Sequence, residues 1–244
     1  MDDNIVIYLI SGKKLHGKDS LYKAGKNIFN WERTAFADKI KEIGQELFDL
    51  SDEQVGGKLK EIEDKRYPNY YDQKMKLVNI DVDPKLITSK ELKVQQAKKY
   101  VPNEQYKEYL SPRRLFQIIG KEFRRLFPEV WVNYVFVKEI PKIVEMGINN
   151  VAITDVRFLN EIEFIEKEAE ERKIKVVKIR LIRPNLEEDG NSLDESEVEL
   201  DNYKKWDFIV HNAGTLDDLE KKSKLIFEKL PEVLSRKTHI QTII

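Results

Sequence analysis

The stretch at residues 5–20, IVIYLISGKKLHGKDS, constrains the fold of this chain more than any other. An apolar, β-branched run leads into a basic loop bracketed by Gly12 and Gly17, and Lys18 follows directly. The spacing is that of a P-loop, in which glycines let backbone N–H groups approach a phosphate and the next helix adds its positive N-terminus. The sequence therefore predicts a buried strand, a phosphate-binding loop and a helix that begins near Lys18, whose ammonium group would reach the β- and γ-phosphates.

The residues after the loop lysine depart from the usual P-loop. Asp19 stands where Ser or Thr normally binds Mg²⁺, and the hydroxyl comes one place later at Ser20. The alternative interpretation is an ordinary glycine turn with surface lysines. We favour nucleotide binding, because Lys13, Lys14 and Lys18 would repel one another on a single turn without a counter-ion.

The composition narrows the class of protein. With 244 residues, of which 41% are hydrophobic, the chain can form one sizeable α/β domain with insertions. Charged residues make up 36% of the chain but balance to a net charge of −1, which argues against direct nucleic-acid binding. Because cysteine, a basic leader and any run of membrane-spanning length are absent from the sequence, we expect a cytoplasmic protein without disulfides or membrane contact.

Periodicity predicts alternating strands and helices along the rest of the chain. The predicted strands are 34–37, 151–158, 174–182 and 207–210, and the predicted helices are 20–29, 38–48, 111–120, 131–146 and 215–230. A parallel α/β sheet accounts for this order.

Two segments interrupt the alternation. Residues 51–110 are lysine-rich, with helical patterns at 53–63 and 90–99, and we interpret them as an insertion beside the core. The tyrosines there, Tyr67, Tyr70 and Tyr71, can pack a satellite cluster or stack on a base. Residues 185–202 contain eight carboxylates and no basic residue, which is typical of a solvated lid loop. An acidic lid would repel a phosphate. We therefore expect the positive charge that the lid side contributes to catalysis to come from Arg183.

Polar residues at the ends of predicted elements are further candidates for the site. Asp155 and Arg157 follow a buried strand, where parallel sheets gather ligands, and would hold Mg²⁺ or a phosphate unless they form a structural pair that caps the next helix. Arg113 lies in the first turn of a helix, where a cation opposes the helix dipole and so indicates a nearby anion. The simpler alternative, pairing to a carboxylate, suits Arg114 better than Arg113. Arg66 is either a phosphate ligand or a solvated salt-bridge partner.

Several motifs outside 51–110 are spaced as in a known family. They are Gly12-x4-Gly17-Lys18-Asp19-Ser20, Phe36-Ala37-Asp38-x2-Lys41, Ser111-x-Arg113-Arg114-x2-Gln117-x2-Gly120, Trp131, Thr154-Asp155-x-Arg157-Phe158-x-Asn160-Glu161, Arg183-Pro184 and Asp194-x-Ser196-Glu197. Together they resemble the phage-type deoxynucleoside monophosphate kinases. The loop and the Asp-x-Arg strand end are also similar in outline to animal phosphomevalonate kinase.

The resemblance implies a P-loop kinase of three αβα layers around a parallel sheet, with a helical insertion at 51–110 and a lid at 183–206. It implies transfer of the γ-phosphoryl group of ATP to a deoxynucleoside monophosphate (dNMP), with Mg²⁺ near Asp19 and Ser20. The residues implied at ATP are Gly12, Lys13, Lys14, His16, Gly17, Lys18, Asp19 and Ser20. Those implied at the dNMP are Lys14, Lys41, Arg113, Gly120, Trp131, Asp155, Arg157 and Glu161, with Arg66 as our further candidate. Lys18, Asp155, Arg157 and Arg183 are the candidates for catalysis.

Other functions remain open from the sequence. The family often has Thr at the place of Lys121 and His at the place of Asp194, so the preferred substrate can differ while the phosphate chemistry is shared. A kinase of another phosphorylated acceptor, such as phosphomevalonate, fits the same loop. A non-catalytic ATP-binding module that docks a partner through 51–110 also fits. Oligomeric state, including a homodimer, is left open, and a viral origin in a host cytoplasm follows from the resemblance alone.

Overall fold

The computed structural model describes residues 5–69, 108–184, 198–235 and 242–243. The chain divides into two compact units, one formed by Met1–Ile40 with Glu122–Ile244 and the other by Lys41–Lys121. The predicted helix at 90–99, Tyr70, Tyr71 and most of the acidic lid lie outside the described residues.

A six-stranded parallel sheet forms the centre of the first unit, in the order β2-β3-β1-β4-β5-β6. The strands are β1 Val6–Ser11, β2 Trp31–Thr34, β3 Asn150–Val156, β4 Lys175–Ile182, β5 Phe208–His211 and β6 Thr242–Ile243. Because β1 pairs with β3 on one side and β4 on the other, the glycine loop leaves the sheet at its centre. The carboxyl edge of a parallel sheet is where ligands collect, so the topology puts this loop in the expected place.

Helices of the first unit cover both faces of the sheet. The α-helices of the described residues are α1 Lys18–Phe29, α2 Phe36–Phe48, α3 Asp52–Val55, α4 Pro112–Leu126, α5 Val130–Tyr134, α6 Ile140–Glu145, α7 Leu159–Arg172 and α8 Leu216–Ser235. In the first unit α1 and α8 pack together on one face, where Tyr8 and Ile10 of β1 join a buried cluster with Leu21 and Ile226. Side chains alternate along a strand, so the other face of β1 meets the layer that contains α7 and α5. The three-layer αβα α/β fold is confirmed.

The second strand differs from the prediction. It is β2 at Trp31–Thr34, with Trp31 and Thr34 buried, whereas the prediction placed a strand at 34–37. The Trp31 ring stacks on Phe29 at 4.2 Å, and its indole N–H donates to the Tyr22 carbonyl at 3.0 Å. Phe36 already belongs to α2, because its backbone N–H donates to the carboxylate of Asp155. The short apolar run at 34–37 therefore spans a strand end and a helix start.

Two predicted helices have interruptions. The helix predicted at 131–146 consists of α5, a π-helical turn at Val135–Glu139 and α6. Pro141 lacks a backbone N–H, which removes one donor from the helical ladder and accounts for the wider turn before it. The helix predicted at 53–63 is instead α3 and a 3₁₀ turn at Lys58–Glu61, with Gly56 and Gly57 between them.

The last helix is longer than predicted. It continues past Pro231 to Ser235, although the prediction ended it at residue 230. Pro231 and Phe227 are both exposed, so the Phe227 carbonyl that loses its helical donor can bond to water. Among the helices of the described residues, none is long and apolar enough to cross a membrane.

The second unit has a small cluster of its own. Phe116 packs so closely on Gly44 that a Cβ at Gly44 would lie 2.4 Å from the ring. Tyr67 donates its hydroxyl hydrogen to the Phe48 carbonyl and meets the Phe48 ring edge-on at 5.7 Å. Tyr67 therefore belongs to a satellite cluster, which was the simpler of the two roles expected for it.

Candidate phosphate-binding site

The glycine loop rests closely against the ends of β4 and β5. A Cβ at Gly12 would lie 2.9 Å from the Leu181 carbonyl oxygen, and one at Gly17 would lie 2.3 Å from the side-chain nitrogen of Asn212. Gly17 also has φ +94°, in the region that favours glycine, and is the N-cap of α1. The two glycines that define the motif are thus required by close approach, and at Gly17 by backbone conformation as well.

Lys18 folds back across the loop. Its Nζ donates to the carbonyl oxygens of Gly12 at 2.6 Å and Lys13 at 2.8 Å. The ammonium group therefore lies over the turn whose backbone the sequence predicts to hold phosphate. Phosphate oxygens are stronger acceptors than these carbonyls, so an incoming phosphate can take over the same donors.

His16 anchors the loop to β4. Its Nδ1 lies 3.1 Å from the Leu181 carbonyl oxygen, and because a carbonyl only accepts, Nδ1 carries the hydrogen. Burial lowers the pKa of His16, and the nearby cations Lys18, Arg180 and Lys13 lower it further against the opposing carbonyl bond. The imidazole is therefore neutral at neutral pH and acts here as a support for the loop.

Asn212 anchors the loop to β5. Its side-chain Nδ2 donates to the His16 carbonyl at 3.0 Å, while its backbone N–H donates to the Ile182 carbonyl at 2.7 Å. The sequence analysis assigned no role to the residues between the predicted strand at 207–210 and the predicted helix at 215–230, so this contact was missed. No sequence signal marks it beyond the position of Asn212 directly after a strand of the same sheet.

A cavity of about 420 Å³ opens beside the loop, a size typical of small-molecule sites. It is lined by Leu15, Gly17, Lys18, Asp19, Ser20, Arg183, Asn212, Gly214, Thr215, Leu216 and Leu219. The structure thus brings Arg183 to the same cavity as the loop lysine and its neighbours. Leu15 and Leu216 are exposed apolar side chains on its walls, which suits a flat organic ring.

Asp201, at the end of the acidic run, pairs with the loop. Its carboxylate lies 3.2 Å from Lys13 Nζ and 2.6 Å from the guanidinium of the buried Arg180. Arg180 also donates to the Ser11 hydroxyl at 2.9 Å. The acidic segment therefore supplies the counter-ion for one loop lysine, a contact that its composition alone did not indicate.

The predicted metal ligands lie at the cavity wall. The Asp19 side chain is 72% exposed, with an oxygen 3.6 Å from Arg33 Nε, and Ser20 lines the cavity beside Lys18. Within the described residues, no group of three His, Cys, Asp or Glu side chains could hold a metal. Two oxygen ligands at an open wall suit Mg²⁺, which keeps several waters and is commonly bound through substrate phosphates.

Asp155 caps a helix. Its two carboxylate oxygens accept hydrogen bonds from the backbone N–H groups of Phe36 and Ala37, each at 2.9 Å, at the start of α2. Burial raises the pKa of Asp155 above its ordinary value, although both amide bonds favour the carboxylate. The alternative in the sequence analysis was that Asp155 pairs with Arg157 and caps the helix that follows, α7. In the structure Asp155 caps a helix, but that helix is α2.

Glu161 caps the next helix from inside the protein. One carboxylate oxygen accepts from the backbone N–H groups of Arg157 at 2.8 Å and Phe158 at 3.0 Å, and the residue is only 3% exposed. Burial raises its pKa to about 8, against the lowering effect of those amides and of Arg124. The residue implied at the acceptor nucleotide thus fixes the backbone of Arg157, whose side chain is half-buried.

The remaining predicted residues are divided between the two units. Lys41, Arg66, Arg113 and Gly120 belong to the second unit, and Trp131 belongs to the first. Arg66 pairs with Asp64 at 2.7 Å, and Arg113 pairs with Glu61 at 2.8 Å. The carboxylate pairing that we disfavoured for Arg113 is therefore present, because the 3₁₀ turn presents an acidic residue that local sequence cannot place.

Gly120 is buried within α4, and Lys41 is half-buried on α2. Trp131 is 4% exposed, with its ring 5.4 Å from that of Phe123, as expected for a core residue. Lys14 lies half-buried on the loop itself.

Comparison with known proteins gives little similarity. No protein-family model and no curated protein matches this chain. Among solved structures, dephospho-CoA kinase from Campylobacter jejuni is similar at 14% sequence identity with a TM-score of 0.38, over 94% of this chain and 98% of that chain. Similarity at this level leaves the activity to be inferred from the site.

Proposed function

We propose that this chain is an ATP-dependent kinase that transfers the γ-phosphoryl group to the phosphate of a dNMP. The observation that carries the proposal is the glycine loop at the N-terminus of α1, with the Lys18 ammonium lying across it beside a cavity of about 420 Å³. A loop for phosphates that adjoins a space for an organic group is what a nucleoside triphosphate requires.

In this proposal the loop binds the phosphates of ATP and the cavity binds its nucleoside. Leu15 and Leu216 would contact the base, while Lys18 would leave the Gly12 and Lys13 carbonyls for the β- and γ-phosphates. Arg183, exposed at the cavity wall, would add positive charge on the transferred group.

Transfer to a phosphate needs positioning and charge neutralisation rather than covalent help from the protein. The acceptor is already ionised, so no general base is required. Mg²⁺ bound near Asp19 and Ser20 would neutralise charge on the phosphates. The protein's own part is to hold the reacting groups in line with Lys18 and Arg183.

The choice of a dNMP as acceptor is supported by the motifs that resemble the phage-type kinases. In the first unit these include Arg157, whose backbone N–H is held by Glu161 just beyond the carboxyl end of β3. A guanidinium there can clamp a phosphate in bidentate fashion. We therefore expect Arg157→Ala to impair use of the acceptor more than binding of ATP.

The test is release of ADP from Mg²⁺-ATP, measured separately with dAMP, dCMP, dGMP, dTMP and the ribonucleotides. We expect turnover with at least one deoxynucleotide and a loss of at least a hundredfold in Lys18→Ala. Lys23→Ala is the matched control, because Lys23 is an exposed lysine on the same helix.

The outcomes separate the alternatives. Turnover with none of these acceptors, while ATP still binds, would reject the dNMP kinase and leave another phosphorylated acceptor or a non-catalytic module. Normal turnover in Lys18→Ala would reject the assignment of the loop itself.

A further inference from the structure

We propose that Asn212 is a positioning residue for the phosphate loop, where its side-chain amide sets the direction of the Gly17 N–H. The inference rests on the proposed function only in taking the loop to bind phosphate. It assigns to the loop after β5 a part in the phosphate site rather than in the nucleoside cavity alone.

The geometry depends on one peptide bond. Asn212 Nδ2 donates to the His16 carbonyl oxygen at 3.0 Å, and that carbonyl belongs to the peptide between His16 and Gly17. No cis peptide occurs in the described chain, and in a planar trans peptide the C=O and N–H point in opposite directions. By holding the carbonyl, Asn212 therefore turns the Gly17 N–H away from β5.

The donor is itself held firmly. The Asn212 backbone N–H bonds to the Ile182 carbonyl at 2.7 Å, so the side chain projects from the fixed carboxyl end of the sheet. A Cβ at Gly17 would lie 2.3 Å from Asn212 Nδ2, so the amide occupies the space that a side chain at Gly17 would need. Glycine at the loop and asparagine after β5 thus form a complementary pair.

The direction of the Gly17 N–H matters because Gly17 is the N-cap of α1 and, as a glycine, has no side chain that could cap the helix. An N–H at this place, aimed at a bound phosphate, forms a charge-assisted hydrogen bond. A carbonyl without its partner could rotate the peptide, since Gly17 is free to adopt other backbone conformations.

The competing explanation is that Asn212 serves only as a wall of the nucleoside cavity, which it also lines. The two roles differ in one measurable respect. Substitution of a wall residue should weaken the binding of ligands that have a nucleoside. Substitution of a positioning residue should weaken the binding of every ligand that has the phosphates. Inorganic tripolyphosphate is the probe that separates them.

The experiment measures binding of Mg²⁺-tripolyphosphate and Mg²⁺-ATP to the full chain by calorimetry. We expect Asn212→Ala to weaken both ligands by a similar factor, roughly tenfold or more. Leu216→Ala is the matched control, since Leu216 lines the same cavity 67% exposed; it should weaken ATP and spare tripolyphosphate. If Asn212→Ala does not fold, Asn212→Ser replaces it, because its hydroxyl is too short to reach the His16 carbonyl.

A spectroscopic measurement supplies the second readout. In the wild type the Gly17 amide proton should shift strongly downfield when tripolyphosphate is added, and in the Asn212 variant this shift should shrink. Loss of ATP binding with normal tripolyphosphate binding and a normal Gly17 shift would overturn the proposal. Failure of the proposed function is distinguishable, because a wild type that binds tripolyphosphate without phosphorylating any dNMP leaves the role of Asn212 intact.

Discussion

Helices α1, α2 and α7 all begin at the carboxyl edge of the sheet, and the partners of their N-terminal amides differ. The first amides of α2 bond to the carboxylate of Asp155, and those at the start of α7 bond to that of Glu161. By contrast, α1 begins at Gly17, a residue that has no side chain to cap the helix. A helix N-terminus favours a nearby anion, and in the proposed function a bound phosphate would take that place at α1.

This difference also separates candidate residues that support the backbone from those that could bind a ligand. Asp155 and Glu161 lie where polar residues of a site are expected, yet both carboxylates are occupied by backbone amides. The backbone next to Gly17 is instead supported by His16 and Asn212. This difference therefore favours α1 over α2 and α7 as the helix whose N-terminus would bind a phosphate.

The largest expected effect comes from giving α1 the cap that α7 has. Glu161 is the third residue of α7 and reaches back to its N-cap; Ser20 is the third residue of α1. Ser20→Glu should place a carboxylate on the Gly17 amide and weaken ATP binding by roughly a thousandfold, through occupation and repulsion. Calorimetric titration measures this.

The matched control for this change is Ser20→Ala, which lacks the hydroxyl and carries no group that could cap the helix. Equal loss of ATP binding in both variants would mean that the hydroxyl, rather than the open helix terminus, is what matters. We further expect Ser20→Glu to raise the free energy of unfolding by about 1 kcal/mol, because it caps the helix.

The next effect concerns the buried cap of α7 and depends on pH. The pKa of Glu161 is about 8 in the folded protein and near 4.5 when unfolded, so between these values the native state binds the extra proton. The free energy of unfolding should therefore fall as pH rises from 5 to 8, by roughly 1 kcal/mol per pH unit for this group. In Glu161→Gln that slope should largely disappear; urea unfolding at several pH values measures it. An unchanged slope would show that Glu161 is ionised throughout.

The smallest effect is expected at the cap of α2. In Asp155→Asn one oxygen can still accept an amide hydrogen, but the new NH₂ group meets the other amide, so the free energy of unfolding should fall by about 1–2 kcal/mol. Asp217→Asn is the matched control, since Asp217 is an exposed acid in the first turn of α8. Thermal unfolding of the two variants side by side gives the difference. Equal stability would show that the capping bonds contribute nothing net.

The sequence predicted β1, the glycine loop and the start of α1 because the residues that specify them are all local in the chain. It could not predict the shift of β2 to Trp31–Thr34, because what ends that strand is the carboxylate of Asp155, far away in sequence. The contact of Asn212 with the loop is likewise long-range. Local patterns thus give the elements, while the partners of polar side chains depend on how distant strands meet.

The central position of β1 has a consequence for biosynthesis. Val6 pairs with Asn150 on one side and Lys175 on the other, so β1 waits for partners that are made much later. At ordinary rates of translation this wait is on the order of ten seconds or more, during which an apolar strand is unpaired. Nascent chains halted before residue 150 should therefore aggregate, and those that reach residue 182 should become protected from proteolysis.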